Sequence, residues 1–141
     1  MQFLLLITLA VQSYWDLRYR EIPLFVTAGA GGLGLVLSII NERSWQELLC
    51  ALIPGIVCLG IGRMTREAIG YGDGLLLCAM GMCVSCERLL SIGMTAFLVA
   101  GVVALLLLAF CRKRGKDQIP FVPFLFVATI LQYLMEEGSL L

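Results

Sequence analysis

Six apolar segments fill most of this chain, and they constrain its fold more than any other feature. They cover approximately residues 3–15, 24–40, 48–62, 74–86, 89–111 and 121–135. A helix that crosses a hydrocarbon core of about 30 Å needs roughly 20 residues, so residues flanking the shorter segments must be helical too. Segments four and five are separated only by Glu87 and Arg88 and together are too long for one crossing, which predicts a hairpin. The pattern predicts an all-α, polytopic integral membrane protein with about six transmembrane helices.

Composition supports this class. The chain has 141 residues, of which 60% are hydrophobic and 14% charged. Soluble domains are about 45–50% apolar and about 25% charged. We therefore expect a single membrane-embedded domain over residues 1–141. The first segment has no basic residue before it and is followed by Val11-Gln12-Ser13, a poor cleavage site, so we expect a retained helix rather than a signal peptide.

The distribution of basic residues predicts the orientation. With six spans, one side of the membrane receives the turns near residues 16–23, 63–72 and 111–120. These turns hold Arg18, Arg20, Arg63, Arg66, Arg112, Lys113, Arg114 and Lys116, whereas the other side holds only Arg43 and Arg88. By the positive-inside rule the first side is cytoplasmic, and both the N-terminus and the C-terminus lie outside.

Two aspartates stand at the predicted cytoplasmic ends of apolar segments. Asp16 ends the first segment and Asp73 begins the fourth. An ionisable group beside hydrocarbon is costly and marks a functional site by default. Peptide hydrolysis needs a base to activate water and an acid to protonate the departing amine, and two close carboxyls that share one proton supply both. The pair predicts a membrane aspartyl peptidase with Asp16 and Asp73 as catalytic residues.

Glycines and prolines near these aspartates favour access by a substrate. Gly70, Gly72 and Gly74 remove side chains, permit positive φ and allow a substrate backbone to approach closely. Pro120 and Pro123 open the sixth segment. Irregular backbone at membrane depth persists only where it is buried or lines a watery cavity. We therefore predict that these two prolines help to open a cleft beside the aspartates.

Three short motifs resemble those of the type IV prepilin peptidases, which are polytopic Gly-x-Gly-Asp aspartyl proteases. They are Asp16 followed by Ile22-Pro23, Gly70-x-Gly72-Asp73, and residues 119–124, which are similar to a late Ile-Pro-Phe-Gly-Pro-Phe motif with Val122 in place of Gly. The motifs occur in the family's order and spread across nearly the whole chain. The resemblance implies that Asp16 and Asp73 are the catalytic pair and that the enzyme needs neither a metal nor another cofactor.

The resemblance also implies a substrate. It predicts cleavage of pilin-like precursors at the cytoplasmic membrane face, after a short basic leader and before a hydrophobic helix. Only eight residues separate the first two spans, which leaves no room for the tetracysteine region linked to methyltransferase activity in larger members. We expect a peptidase-only enzyme in a bacterial or archaeal cytoplasmic membrane. Its predicted partners are the precursor and membrane lipid, with no nucleic acid; the oligomeric state is left open.

Other functions fit parts of the pattern. The fold could serve a non-catalytic assembly protein of a pilus or secretion system. A small transporter could use the two aspartates as a proton relay, although both lie on one side. Taken singly, Asp16 could merely end a helix beside arginines, and Asp73 could be an N-cap.

The cysteines give a weaker signal. Six are present, mostly in apolar runs, and only Cys83-Val-Ser-Cys86 has a suggestive spacing. Structural zinc sites usually have four ligands, and the chain has no histidine and no second C-x-x-C. A disulfide or no special role is the better interpretation of this pair.

Overall fold

The computed structural model describes residues 2–64, 71–111 and 120–139 of the chain. These residues form six α-helices and no β-strand. The helices are α1 Gln2–Tyr19, α2 Leu24–Ile40, α3 Trp45–Met64, α4 Tyr71–Cys83, α5 Cys86–Cys111 and α6 Val122–Ser139. The predicted all-α class is confirmed, and so is the hairpin between segments four and five, because α4 ends at Cys83 and α5 begins at Cys86.

Helix α4 lies at the centre of the packing. It makes its broadest contacts with α3 and α2, whereas α6 packs against both α1 and α5. Large side chains from four helices fill the interior: Leu9, Leu76, Met80, Ile92 and Leu125 are at most 2% exposed. In water, burial of such a side chain contributes about 1.5–3 kcal/mol. Between helices in lipid, van der Waals packing takes over most of that role.

Close approach between helices depends on glycine at a few positions. A Cβ atom at Gly34 or Gly55 would collide with a cysteine side chain of α4. The many glycines of segments two and three predict such packing, because small residues let helix backbones come together. The prediction is wrong at Gly29, Gly32 and Gly60, where a Cβ atom would meet nothing within 4 Å.

The bundle has two distinct ends, and one of them holds both aspartates. Asp16 lies near the end of α1, and Asp73 near the beginning of α4. Leu59, toward the end of α3, contacts Gly74 beside Asp73. We call this the aspartate end. Helices α1 and α3 finish there, whereas α4 starts there, so neighbouring helices run in opposite directions.

The other end, called here the opposite end, is tied together by polar contacts. The Ser38 hydroxyl donates a hydrogen bond of 2.6 Å to the Met82 carbonyl, which joins α2 to α4. Arg88 pairs with Glu136 at 2.5 Å, which joins the start of α5 to the end of α6. Arg43, in the turn after α2, donates to carbonyl groups at the end of α4. These contacts fix how the helices are stacked away from the aspartates.

Large apolar side chains cover much of the outside. Phe25 is 94% exposed, and α1, α2, α3, α5 and α6 all carry exposed Leu, Ile, Val or Phe side chains. Extensive exposed apolar surface marks contact with another apolar phase. Helices Trp45–Met64 and Cys86–Phe110 are long and apolar enough to cross a membrane, while Leu24–Ile40 and Tyr71–Cys83 are apolar but shorter. This surface favours a lipid environment over water.

Candidate active site

Asp16 lies in the last turn of α1 and is buried, with 8% of its surface exposed. Its backbone carbonyl accepts a hydrogen bond of 3.0 Å from the Arg20 N–H, and Arg20 has a φ of 53°. A residue in the left-handed region commonly ends a helix. The chain therefore leaves α1 one turn after Asp16, while the carboxyl group stays inside the bundle.

One carboxylate oxygen of Asp16 is held by the start of α6. It accepts a hydrogen bond from the backbone N–H of Val122, with 3.2 Å between Oδ2 and N. Val122 is the first residue of α6, where backbone N–H groups lack partners inside the helix. The partial positive charge of a helix N-terminus also favours a carboxylate. Helix α6 thus orients Asp16 although Val122 lies 106 residues further along the chain.

Pro120 and Pro123 stand on either side of this donor. Pro120 precedes α6 and Pro123 is its second residue, and both are partly buried. Proline is tolerated in the first turn because the missing N–H would have no intrahelical partner there. Both prolines therefore lie in the segment that contacts Asp16. Their predicted part in opening a cleft stays a prediction.

Asp73 lies in the first turn of α4 and is partly buried. Its carboxyl group interacts electrostatically with that of Asp16 and with the Cys58 thiol on α3. Helices α1 and α4 also touch each other. The two predicted catalytic carboxyls are thus brought to one end of the bundle, and their catalytic role stays a prediction. Because Asp73 lies within the helix rather than before it, the simple N-cap interpretation loses support.

Gly72 and Gly74 are required by packing within the chain. A Cβ atom at Gly72 would lie 2.9 Å from Ile22 Cδ1, and one at Gly74 would lie 2.8 Å from Leu59 Cγ. Across the described ranges no glycine has a positive φ, so backbone freedom does not explain either residue here. Gly70 lies outside the described residues. The predicted part of Gly70 and Gly72 in substrate approach stays a prediction.

Gln12 is a polar neighbour of Asp16 that the sequence analysis missed. Its Nε2 donates a hydrogen bond of 2.9 Å to the Thr27 hydroxyl on α2, and the side chain is fully buried. Its Oε1 has no hydrogen-bond partner among the residues that the structure describes. The four-residue spacing from Asp16 puts both side chains on one helix face. A glutamine four residues before Asp16 within an apolar segment was the sequence signal that could have identified Gln12 as a neighbour of Asp16.

Cys58 was missed for a different reason. It lies in an apolar run of α3, where cysteine usually serves as a small hydrophobe. Its electrostatic interaction with Asp73 depends on the rotation of α3 about its own axis. Cys58 is also packed against the hydrophobic core, so one wall beside Asp73 is apolar.

Comparison with known families agrees with this arrangement. The sequence pattern of the type IV leader peptidase family matches residues 3–109, which is most of the chain and includes Asp16 and Asp73. The chain therefore belongs to the type IV leader peptidase family, and the predicted relationship to prepilin peptidases is confirmed. The match ends before residues 119–124, so the late motif rests on resemblance alone. No curated protein and no solved structure matches the chain significantly.

Proposed function

We propose that this protein is a membrane aspartic endopeptidase that removes the short basic leader from type IV pilin-like precursors. Asp16 and Asp73 form the catalytic pair. The observation that carries the proposal is the position of both aspartates at one end of a helical bundle, Asp16 in the last turn of α1 and Asp73 in the first turn of α4, in a chain that belongs to a leader peptidase family. The enzyme is a peptidase without methyltransferase activity.

The chemistry follows from the pair. Two carboxyls at short range do not both ionise readily, so they share one proton. The ionised member takes a proton from water, which then attacks the peptide carbonyl, and the protonated member donates to the departing amine. The bond from Val122 N–H fixes one oxygen of Asp16, which leaves its other oxygen for water or substrate. Orientation of this kind lowers the cost of reaching the reactive geometry.

The proposed membrane arrangement has six spans in one domain, with both termini outside and the aspartate end in the cytoplasm. Exposed Arg18, Arg20 and Arg63 support it, since all three belong to the aspartate end. Among the basic residues that the structure describes, Arg43 and Arg88 alone belong to the opposite end, in agreement with the positive-inside rule. The remaining basic residues lie outside the described residues. A precursor with a basic leader and a following hydrophobic helix would meet the aspartates from the cytoplasmic face.

The length of α4 supports access of water to Asp73. Its 13 residues measure only about 20 Å at 1.5 Å per residue, against a hydrocarbon core of about 30 Å. The polar end of α4 therefore lies within the depth of the membrane if its other end reaches the far surface. Peptide hydrolysis by Asp73 beside hydrocarbon requires that water reach this depth.

Co-expression with a pilin-like precursor tests the proposal. Wild-type enzyme is expected to shorten the precursor, whereas Asp16→Asn and Asp73→Asn each abolish shortening at equal membrane levels. Glu137→Gln is the matched control, because Glu137 is an exposed carboxylate in the last turns of α6, at the opposite end. Shortening by either aspartate variant would remove the two-carboxyl mechanism.

Two other outcomes would favour the alternatives. If the wild type shortens no precursor from a panel, the result supports the interpretation as a non-catalytic assembly protein. If the wild type takes up a solute and both aspartate variants do not, the result supports the interpretation as a transporter. Both would count against the peptidase.

A further inference from the structure

Two cysteine side chains meet at the opposite end of the bundle, away from the proposed catalytic pair. The Sγ atoms of Cys50 on α3 and Cys86 on α5 are 2.9 Å apart, although the residues are 36 positions apart in the chain. Cys50 is exposed and Cys86 is partly exposed, and both are thiols in this structure. Cys83, which the sequence spacing paired with Cys86, is not the partner of Cys86 in the structure. It is buried and lies near the Ala30 carbonyl.

The packing of the helices keeps the two thiols together. Helix α3, which carries Cys50, packs against α5, which carries Cys86. Helix α4 lies close to both: a Cβ atom added at Gly81 would collide with the Ala51 carbonyl of α3 and would lie 3.4 Å from Leu89 Cδ2 of α5. The Sγ separation of 2.9 Å therefore belongs to closely packed helices, and a bonded pair needs about 2.03–2.05 Å between its sulfur atoms.

The position of the pair relative to the membrane supplies the chemical setting. Cys50 lies in the second turn of α3 and Cys86 opens α5. Both belong to the end opposite Asp16 and Asp73. If the aspartates face the cytoplasm, as proposed above, these thiols face the outer compartment. Disulfides form and persist in such oxidising environments.

We propose that Cys50 and Cys86 form a structural disulfide that ties α3 to α5 on the outer side of the membrane. The two thiols lose two protons and two electrons, and one S–S bond forms. The oxidant is an extracytoplasmic protein disulfide, which exchanges through a mixed disulfide and leaves as a dithiol. The bond constrains the segment between the two cysteines, which contains all of α4 and Asp73. It thereby stabilises the helix that carries half of the proposed catalytic pair.

Thiol labelling of the full-length protein tests the inference. Membranes from aerobic cells are acid-quenched, denatured and treated with a maleimide polymer before and after reduction. We expect two of the six cysteines to become reactive only after reduction. Cys50→Ser and Cys86→Ser should each abolish that gain, whereas Cys83→Ser, three residues from Cys86, should leave it unchanged. Mass spectrometry of an unreduced digest should find the Cys50 and Cys86 peptides linked.

Several results would overturn the inference. They are full labelling of all six cysteines without reduction, a link that includes Cys83, and a bond that joins two copies of the chain on a non-reducing gel. Heating the protein in detergent with and without reductant adds a second measurement. We expect the reduced protein, and both serine variants, to unfold several degrees lower than the oxidised wild type.

The inference rests on the orientation contained in the proposed function, and its failure is distinguishable from failure of that function. Precursor cleavage is measured in the same membranes. A bridge without cleavage keeps the disulfide and removes the peptidase. Cleavage without a bridge keeps the peptidase and removes the disulfide. The serine variants lie far from the aspartates and should retain cleavage at low temperature.

Discussion

The backbone N–H of Val122 donates a hydrogen bond to the Asp16 carboxylate, with 3.2 Å between N and Oδ2. This contact joins the end of α1 to the start of α6. It gives the segment around Pro120 and Pro123 a physical role beside Asp16, since the donor Val122 lies between these two prolines. The side chain of Val122 takes no part in this hydrogen bond. Valine can therefore replace the glycine of the late motif without loss of the donor.

Removal of this donor should slow cleavage. Val122→Pro deletes the N–H but is tolerated in the first turn of a helix. Hydrogen bonds to charged groups are worth about 1.5–3 kcal/mol, so we expect a loss of roughly tenfold to hundredfold in kcat/KM. Val122→Ala keeps the N–H and removes part of a fully buried side chain, so it should lower stability more than rate. Equal rates for the two variants, measured with one precursor in detergent, would show that the N–H is not used.

Gln12 should matter more for cleavage than for folding. Its Oε1 is buried and has no partner among the described residues, which costs a folded protein about 1–3 kcal/mol. Gln12→Leu removes that cost together with the bond to Thr27, so we expect an unchanged or slightly higher unfolding temperature. We also expect slower cleavage, because the Gln12 amide lies on the same helix face as Asp16, one turn away, and its replacement by leucine removes a polar group near that carboxyl.

The matched control for Gln12 is Thr129→Val. Thr129 is equally buried, but within the described part of the chain its hydroxyl donates to the Leu125 carbonyl of the same helix, α6. This variant should leave cleavage unchanged. If Gln12→Leu also cleaves at the wild-type rate, the Gln12 amide serves only to join α1 to α2.

The glycines beside Asp73 should differ in their tolerance of alanine. At Gly72 the new Cβ atom would meet only side-chain atoms of Ile22, with 2.9 Å to Cδ1 and 3.1 Å to Cβ. At Gly74 it would lie 2.8 Å from Leu59 Cγ and 3.0 Å from the Leu59 backbone nitrogen. Backbone yields less readily than a side chain, and overpacking typically costs about 1–3 kcal/mol. We therefore expect Gly74→Ala to reduce stability and cleavage more than Gly72→Ala.

The control for these variants is Gly29→Ala, since a Cβ atom there meets nothing within 4 Å. It should be neutral or stabilising, because alanine favours helix. Thermal unfolding and cleavage rates of the three variants, measured side by side, check the order. A Gly74→Ala protein as active and stable as Gly29→Ala would contradict the packing described here.

Hydropathy predicted the helices and the shared end of Asp16 and Asp73, because alternating helices place every second turn at the same end. It predicted the bounds of α4 less well: residues 74–86 were expected, and the helix is Tyr71–Cys83. Apolar runs mark what touches hydrocarbon, whereas a helix begins and ends with its hydrogen bonds. Asp73 is thus inside the helix although it is outside the apolar run.

Contacts between helices could not be predicted in the same way. A helix in lipid is apolar on all sides, so no polar stripe shows which face turns inward. The bond between Asp16 and Val122 and the contact between Cys50 and Cys86 both depend on helix rotation. The Cys83-Val-Ser-Cys86 spacing did not indicate which cysteines are in contact, because Cys83 ends α4 whereas Cys86 begins α5. The proximity of Gln12 and Asp16 could be predicted from their spacing, because both residues lie on one helix.

Arg43 provides the last prediction, a loss of stability without a loss of catalysis. Its guanidinium donates to the carbonyls of Gly81 at 3.3 Å and Val84 at 2.6 Å, where α4 ends. Arg43→Met removes both charge-assisted bonds, each worth about 1.5–3 kcal/mol, so the unfolding temperature in detergent should fall. Arg43→Lys should recover only part of the loss, because a lysine cannot form the two-pronged contact. Cleavage per folded molecule should stay at the wild-type level for both variants, since Arg43 lies at the end opposite the aspartates. A lower kcat at unchanged stability would instead show that the far end of α4 controls the position of Asp73.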